Sequence, residues 1–385
     1  MRNGLNIAGV SEMVHEIREI PAEAVARFAV ETPAGASTAG TVTSRTLTAR
    51  NGTVRMARDF RLGHRLAVTT DGPAGVHPTP YESALAALGA CVMVTSVNGY
   101  TARGITLGAM SVTVRADLAL DGAGRPVAGR PLENITWRCD VDCETDPDTA
   151  RSINRLVTAF SPNHRVVLDV APLDTAVLVG TDGRTTALDA PVPGEAPETA
   201  GPTRSTPIEA TVTWEYGSEG SYVTTVGAPG TGPRSGPWGV DQAKQMLGID
   251  RAPNSQEILL AALCAELTSL LPDGSVLLRA TGLLDTRGML NVAREVPSRF
   301  HGLSLEAVAP DLSAADLSQA LARSVLLATL ATPRAVDVEL WLAGRHVVSD
   351  HSITADAEAV RDELTRRAGQ QAEQTNRQEN DGHDG

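Results

Sequence analysis

Lysine is all but missing from this 385-residue chain: of its 33 basic residues only Lys244 is a lysine. The imbalance reads as base composition of the coding sequence rather than chemistry. Basic clusters are absent too, and the net charge is −13. Nucleic acids are bound by displacing phosphate counterions with clustered Arg and Lys, so a nucleic-acid partner is not expected. The longest apolar run, residues 84–94, is broken by Gly89 and falls short of the roughly 20 residues that span a bilayer. Residues 1–20 mix Arg2, His15, Glu16 and Arg18 among apolar positions, unlike a secretory leader. A cytoplasmic protein without a membrane partner is expected.

Cysteine is scarce as well. Cys91, Cys139, Cys143 and Cys264 are too few for a disulfide scaffold. Cys139 and Cys143 have no second Cys or His pair nearby to complete a tetrahedral metal site. They alternate with Ile135, Trp137 and Val141 as one face of a strand. The other histidines are scattered without ligand spacing, so no metal is expected. Ser161 and His164 stand three apart across a proline, and no Gly-x-Ser-x-Gly elbow supports a hydrolase.

What is present is organised in two halves. A chain this long exceeds one ordinary core. Residues 180–207 are rich in Pro, Gly and Thr and read as a linker, and 366–385 read as a disordered polar tail. The expected units are 1–179 and 208–365. In the first, residues 5–20 form a short amphipathic helix closed by Pro21, with Ile7, Val10, Met13, Val14 and Ile17 on one side. An Asn-Gly pair between two β-rich runs signals a hairpin. Pro78 and Pro80 open a helix that ends at Gly104. Strands at 110–120 and 134–143, a helix at 147–160 and a last strand within 166–179 complete the half. The second half repeats this order with a hairpin around Glu219 and Gly220, a buried helix at 253–271, and the stretches 313–330 and 335–344 that close it. The fold class is α+β, each half an antiparallel sheet packed on a long buried helix.

Two stretches set the chemical question. PTPYESALAALGACV places one thiol, Cys91, in a helix of small residues. PNSQEILLAALCAEL repeats the pattern 175 positions later with Glu266 in the place of Cys91. Cys264 lies about 200° around the helix from that place and reads as core.

On these motifs each half resembles the OsmC/Ohr family, whose best-studied members are thiol peroxidases that reduce organic hydroperoxides. The resemblance spans most of residues 40–180 and rests on the interval from Pro80 to Cys91 and on VNGYTARGI after it. It implies Cys91 as the peroxidatic thiol, Arg50 in TARNGT as the cation that favours its anion, and Glu82 as the carboxylate that orients the arginine. Such a cation would lower a thiol pKa from about 8.5. The family's second cysteine is replaced by Ser161 in FSPNHRVV, so an external thiol reductant is implied. In the second half Ser218 takes the arginine position, Glu266 the cysteine position, and Thr332 heads the last motif, with only Glu257 retained. Because the family forms intertwined dimers with sites at the subunit interface, the chain is expected to fold as its own pseudo-dimer with one surviving site. Tyr81, Phe160, Ser161, His164 and Glu266 are candidates for lining its pocket. No cofactor is implied. The alternatives are a protein that binds a small apolar metabolite in that pocket without turnover, and a repurposed thiol enzyme using Glu266 as acid or base.

Overall fold

The computed structural model of the chain describes residues 1–350 except 69–76, 189–202, 228–231 and a few isolated positions elsewhere. The expected disordered tail and the middle of the expected linker lie outside the described residues. The chain opens with α1 (Ile7–Glu19), a 3-10 turn (Pro21–Ala24) and strands β1 (Val25–Thr32), β2 (Ser37–Thr38), β3 (Thr41–Asn51), β4 (Val54–Ala57) and β5 (Arg61–Arg65). Next come α2 (Pro80–Ala102), β6 (Leu107–Leu120), β7 (Glu133–Cys143), α3 (Pro147–Phe160), α4 (Pro162–Asp169), β8 (Leu173–Val179) and β9 (Thr185–Leu188). The second half contributes β10 (Arg204–Tyr216), β11 (Glu219–Val226), β12 (Arg234–Val240), α5 (Ser255–Leu270), β13 (Leu277–Asp285) and α6 (Thr286–Met289). It closes with β14 (His301–Val308), α7 (Ala314–Arg323), α8 (Val325–Ala331), β15 (Asp337–Leu342) and β16 (Arg345–Asp350).

The mixed α+β class holds, but neither half keeps a sheet to itself. One sheet runs β2-β3-β1-β13-β14-β8-β9, and the other β12-β11-β10-β6-β7-β15-β16. Each therefore takes strands from both sides of the chain's midpoint. The expected purely antiparallel sheets are corrected by two parallel pairings, β14 with β8 and β15 with β7. The physical reason is edge pairing: a strand edge left open by one half is closed by a strand of the other. Within the expected linker, residues 185–188 are β9, paired to β8, and β10 already begins at Arg204.

Helices α2 and α5 pack on each other between the sheets, α2 against β6, β10 and β11, α5 against β1, β3 and β13. Both helices start in the same way. Thr79 and Asn254 are N-caps whose side chains accept from the backbone of Glu82 and Glu257, while those glutamates accept from the cap amides. α2 is long and apolar enough to cross a membrane by composition, yet most of its most apolar window is buried inside the fold. Met93 and Val97 are wholly buried, and each such side chain stabilises the fold by roughly 1.5–3 kcal/mol. The small residues of α2 serve the sheet as well as the helix pair. A Cβ at Gly89 would stand 2.9 Å from Val212 and 3.0 Å from Val114, so a side chain there would lift α2 off β10 and β6.

Three local expectations change. Residues 162–169 are helix α4, so the last strand of the first half starts only at Leu173. The turn between β10 and β11 is Gly217-Ser218 rather than Glu219-Gly220. The stretch after residue 313 breaks at Ser324 into α7 and α8.

Candidate functional site

Cys91 is buried, 4% exposed, where α2 meets the starts of α4 and α5. The Asn163 backbone N–H at the first turn of α4 donates to Sγ at 3.4 Å, and Gln256 Nε2 at the first turn of α5 donates at 3.7 Å. Burial pushes the thiol above its ordinary value, while the Asn163 amide and the side chains of Ser161, Ser255 and Gln256 pull it back. Ser161 is the N-cap residue of α4, and its hydroxyl makes no hydrogen bond among the described residues, while the Ser255 hydroxyl donates to Gln256 Oε1 at 3.1 Å. Asn163 also ties the site together: its Nδ2 donates to Ala87 O at 2.9 Å and to Ser255 O at 3.1 Å. The sulfur thus takes two donors at two helix starts, where free N–H groups and the macrodipole favour negative charge.

The second half builds the same cradle around Glu266. Its carboxylate accepts from Ser324 Oγ, from Val325 N at 2.7 Å and from Leu326 N at 3.2 Å, all at the start of α8. Tyr81, at the start of α2, donates its hydroxyl as well, and its own pKa is raised by burial and by this carboxylate. Burial raises Glu266 to about 7 against the pull of all four donors. Ser324, not Thr332, is therefore the counterpart of Ser161. Glu266 and Tyr81 do not line the Cys91 pocket: Cys91 lies beside Gln256, and Glu266 is ten residues further along α5, about 15 Å at 1.5 Å per residue. An acid-base role for Glu266 at Cys91 is not compatible with that separation.

Glu82 is fully buried and bonded to Arg65, whose Nη2 stands 2.6 Å from Oε2. The same oxygen accepts from Thr79 N at 2.7 Å. Nine residues separate Glu82 from Cys91, which puts them about half a turn apart around the helix and about 13 Å along it. The structure does not bring the two together. Arg50 lies on β3, its backbone opposite Arg27 and Arg55, and β3 packs against α5, the helix of Glu266, rather than in the group of strands beneath α2. Its side chain lies outside the described residues. On the α2 side the matching hairpin offers Ser218, whose hydroxyl donates to Asp241 at 2.6 Å. Among the described residues no charged group acts on the Cys91 thiol.

His164 is fully buried and neutral, lowered to about 3 chiefly by burial, and Trp137 Nε1 donates to its Nδ1 at 3.2 Å. It anchors α4 to β7 and is not an exposed pocket residue. Cys139 and Cys264 are raised to about 12 by burial, as expected of core thiols. No metal-binding group of His, Cys, Asp or Glu occurs among the described residues. Asn163, Ser255, Gln256, Ser324 and Arg65 escaped the sequence reading. The signal was there in part: Ser161-Pro162 and Asn254-Ser255-Gln256 each read as a helix start, and helix starts are anion sites.

A cavity of about 590 Å³ adjoins this region. Val94, Thr95 and Asn98 of α2 line it, three, four and seven places after Cys91 and so on the same face of the helix. Phe160, one residue before Ser161, lines it too, as does Ser218. Of the expected pocket residues, Phe160 and Ser161 are thus at or beside the thiol.

Residues 72–175, from just before α2 to the first turns of β8, match a family model described as OsmC-like protein. The match does not extend to the second half. No curated protein matches the chain.

Proposed function

We propose that the protein is a single-cysteine thiol enzyme of the OsmC/Ohr kind, in which Cys91 reduces a small organic hydroperoxide. The placement of one buried sulfur at two helix starts, with the Asn163 amide and Gln256 Nε2 donating to it, carries this reading, because a thiol buried merely as a small hydrophobe needs no donors around it. The Cys91 thiolate attacks the distal peroxide oxygen. The S–O bond forms as the O–O bond breaks, and the departing alkoxide takes up a proton to leave as the alcohol. Two equivalents of an external thiol then return the sulfenic acid to the thiol, releasing water and a disulfide, since Ser161 cannot form one with Cys91. The match of residues 72–175 to the OsmC-like model supports the assignment, as do the paired cradles, which we read as the two active-site positions of an intramolecular pseudo-dimer with one thiol retained.

The donors do not overcome burial, so the thiol stays raised. Only the thiolate reacts; consumption of cumene hydroperoxide by the reduced protein should therefore rise about tenfold per pH unit from 7 to 9 without levelling. Stopped-flow kinetics check this, and Cys91→Ser should abolish the reaction at every pH. Dimedone should trap the sulfenic acid on Cys91. Consumption that is equally slow in the wild type, Cys91→Ser and Arg50→Ala would sink the peroxidase reading in favour of ligand binding without turnover.

A further inference from the structure

The cavity beside α2 has a roof from outside the matched family stretch. Leu5, Asn6, Ile7, Val10 and Met13 cover it, all from α1 or the residue pair before it. α1 itself packs on the 3-10 turn that follows it and on α6, so it lies over the cavity without being part of either sheet. Its leading end is held by the Asn3 side chain, beside a backbone bond from Gly217 N to Asn3 O at 2.9 Å. Asn3 Nδ2 donates to Thr101 Oγ1 and to Ile105 O, each at 2.9 Å, and its Oδ1 accepts from Leu107 N at 2.9 Å. Asn3 has φ of 50°, a conformation that Asn tolerates better than most residues.

The chemistry of the walls is narrow. Val94, Phe160, Met246, Met289 and Leu290 line the rest of the cavity. Methionines adapt to irregular apolar shapes. Among the described residues no charged side chain lines the space. The hydroxyls of Thr95, Thr101, Ser218 and Thr286 that line it are already hydrogen-bonded within the fold, whereas the side-chain amides of Asn98, Gln242 and Asn291 line it without a hydrogen bond to a described residue. A volume near 590 Å³ falls in the range of small-molecule sites, about 300–1,000 Å³. A carboxylate or ammonium taken into such a space would lose its hydration with no opposite charge to replace it. An uncharged body with an ester, carbonyl or hydroxyl would find amide partners.

We propose that this cavity binds an uncharged, largely apolar small molecule, with α1 as its lid and Asn3 as the latch. The inference deepens the thiol reading, since the cavity shares the helical face of Cys91 and would hold the apolar body of that enzyme's substrate. Binding itself does not depend on the thiol.

The test uses the full-length reduced protein and Nile red, a neutral fluorescent probe. It should bind one per chain with a blue-shifted emission. Asn98→Trp, at an exposed position of α2, fills the cavity from one wall and should weaken binding at least tenfold; Leu290→Trp from another wall should do the same. Methyl laurate should displace the probe, and laurate at least tenfold less well. Asn3→Gly keeps the backbone conformation and removes the latch, and should speed probe association several-fold. Equal binding by the wild type and both tryptophan variants, or laurate competing as well as its ester, would overturn the proposal. Cys91→Ser should bind the probe as the wild type does. Probe binding without hydroperoxide consumption would leave the site standing and remove the thiol reading, and consumption without probe binding would do the reverse.

Discussion

Cys91 and Glu266 occupy matching cradles at opposite ends of one helix pair, yet only one holds a group that is an anion by default. Around Glu266 the donors are a serine hydroxyl, two backbone amides of α8 and the Tyr81 hydroxyl. Around Cys91 they are one backbone amide of α4 and Gln256 Nε2, with the hydroxyls of Ser161 and Ser255 beside them. Burial raises both groups. The difference teaches what the cradle is for. A carboxylate in it satisfies four donors and pins α8 to α5 as structure, whereas a thiol leaves the donors weakly used until it loses its proton. The same architecture serves as a brace in one half and, under the proposed function, as a reactive site in the other.

The largest effect should come from emptying the brace. Glu266→Leu removes the acceptor for Ser324, Val325, Leu326 and Tyr81, all of them buried. Unsatisfied buried donors cost about 1–3 kcal/mol each and relax in part, so a loss of about 4 kcal/mol in urea unfolding is expected. Cys91→Ala should cost about half as much, because its donors bond a neutral sulfur. Equal losses would mean that the thiol already braces the fold as an anion.

A second effect separates the two by pH. Glu266 titrates at about 7 in the folded chain against an ordinary 4.5, so between those values the folded state holds more protons than the unfolded. Its contribution to stability is full below about 4.5 and lost as pH rises through 7, by about 3 kcal/mol. Unfolding at pH 5, 6.5 and 8 should show Glu266→Gln gaining on the wild type as pH rises. Cys91→Ser should track the wild type across that window, since a thiol raised above 9 holds its proton throughout. A flat difference between Glu266→Gln and the wild type would show that the α8 donors outweigh burial.

Much of this was legible in the sequence. Pro80 and Gly104 bracket α2, and the 175-residue repeat placed Glu266 at the counterpart of Cys91. What could not be read was how the halves share sheets. Pairing β15 with β7 joins Asp337 to Thr136, and no local pattern records a partner some 200 residues away. Arg50 was assigned by resemblance to the thiol of its own half, but its strand joins β1 and β13 over α5. The role of Glu82 was misplaced for a related reason. A helix-start glutamate satisfies its own cap amide first, and Arg65, on a strand of no special pattern, supplies the cation.

That pair gives the next effect. Arg65 is 13% exposed in its side chain and Glu82 is not exposed at all, so Arg65→Met leaves a buried carboxylate held, among the described residues, by Thr79 N alone. A loss of about 3 kcal/mol is expected from breaking a buried pair on one side. Changing Glu82 to Gln in that background should recover part of it, which a double-mutant cycle in urea would read. Arg279→Met offers the control: it is 38% exposed, and Glu31 keeps Arg45 at 3.0 Å, so about 1 kcal/mol or less is expected. Hydroperoxide consumption should survive Arg65→Met wherever the protein stays folded, because Glu82 lies far along α2 from the sulfur.

The smallest effect tests whether the two helix starts are equivalent. Thr79 and Asn254 cap through one side-chain oxygen each, and replacing either by Ala should cost about 1 kcal/mol. They differ in what else the side chain carries. The amide nitrogen of Asn254 is buried without a hydrogen-bond partner among the described residues, whereas Thr79 brings no such amide. Asn254→Thr copies the cap of the first half, keeping an oxygen for the Glu257 amide while deleting the orphan donor. It should therefore stabilise the chain by up to about 1 kcal/mol, and Thr79→Asn should destabilise it by a similar amount by importing the same orphan into α2. Opposite signs from the two exchanges in urea unfolding would locate the asymmetry in that one amide; a loss in both would mean that each cap is fitted to its own pocket by shape.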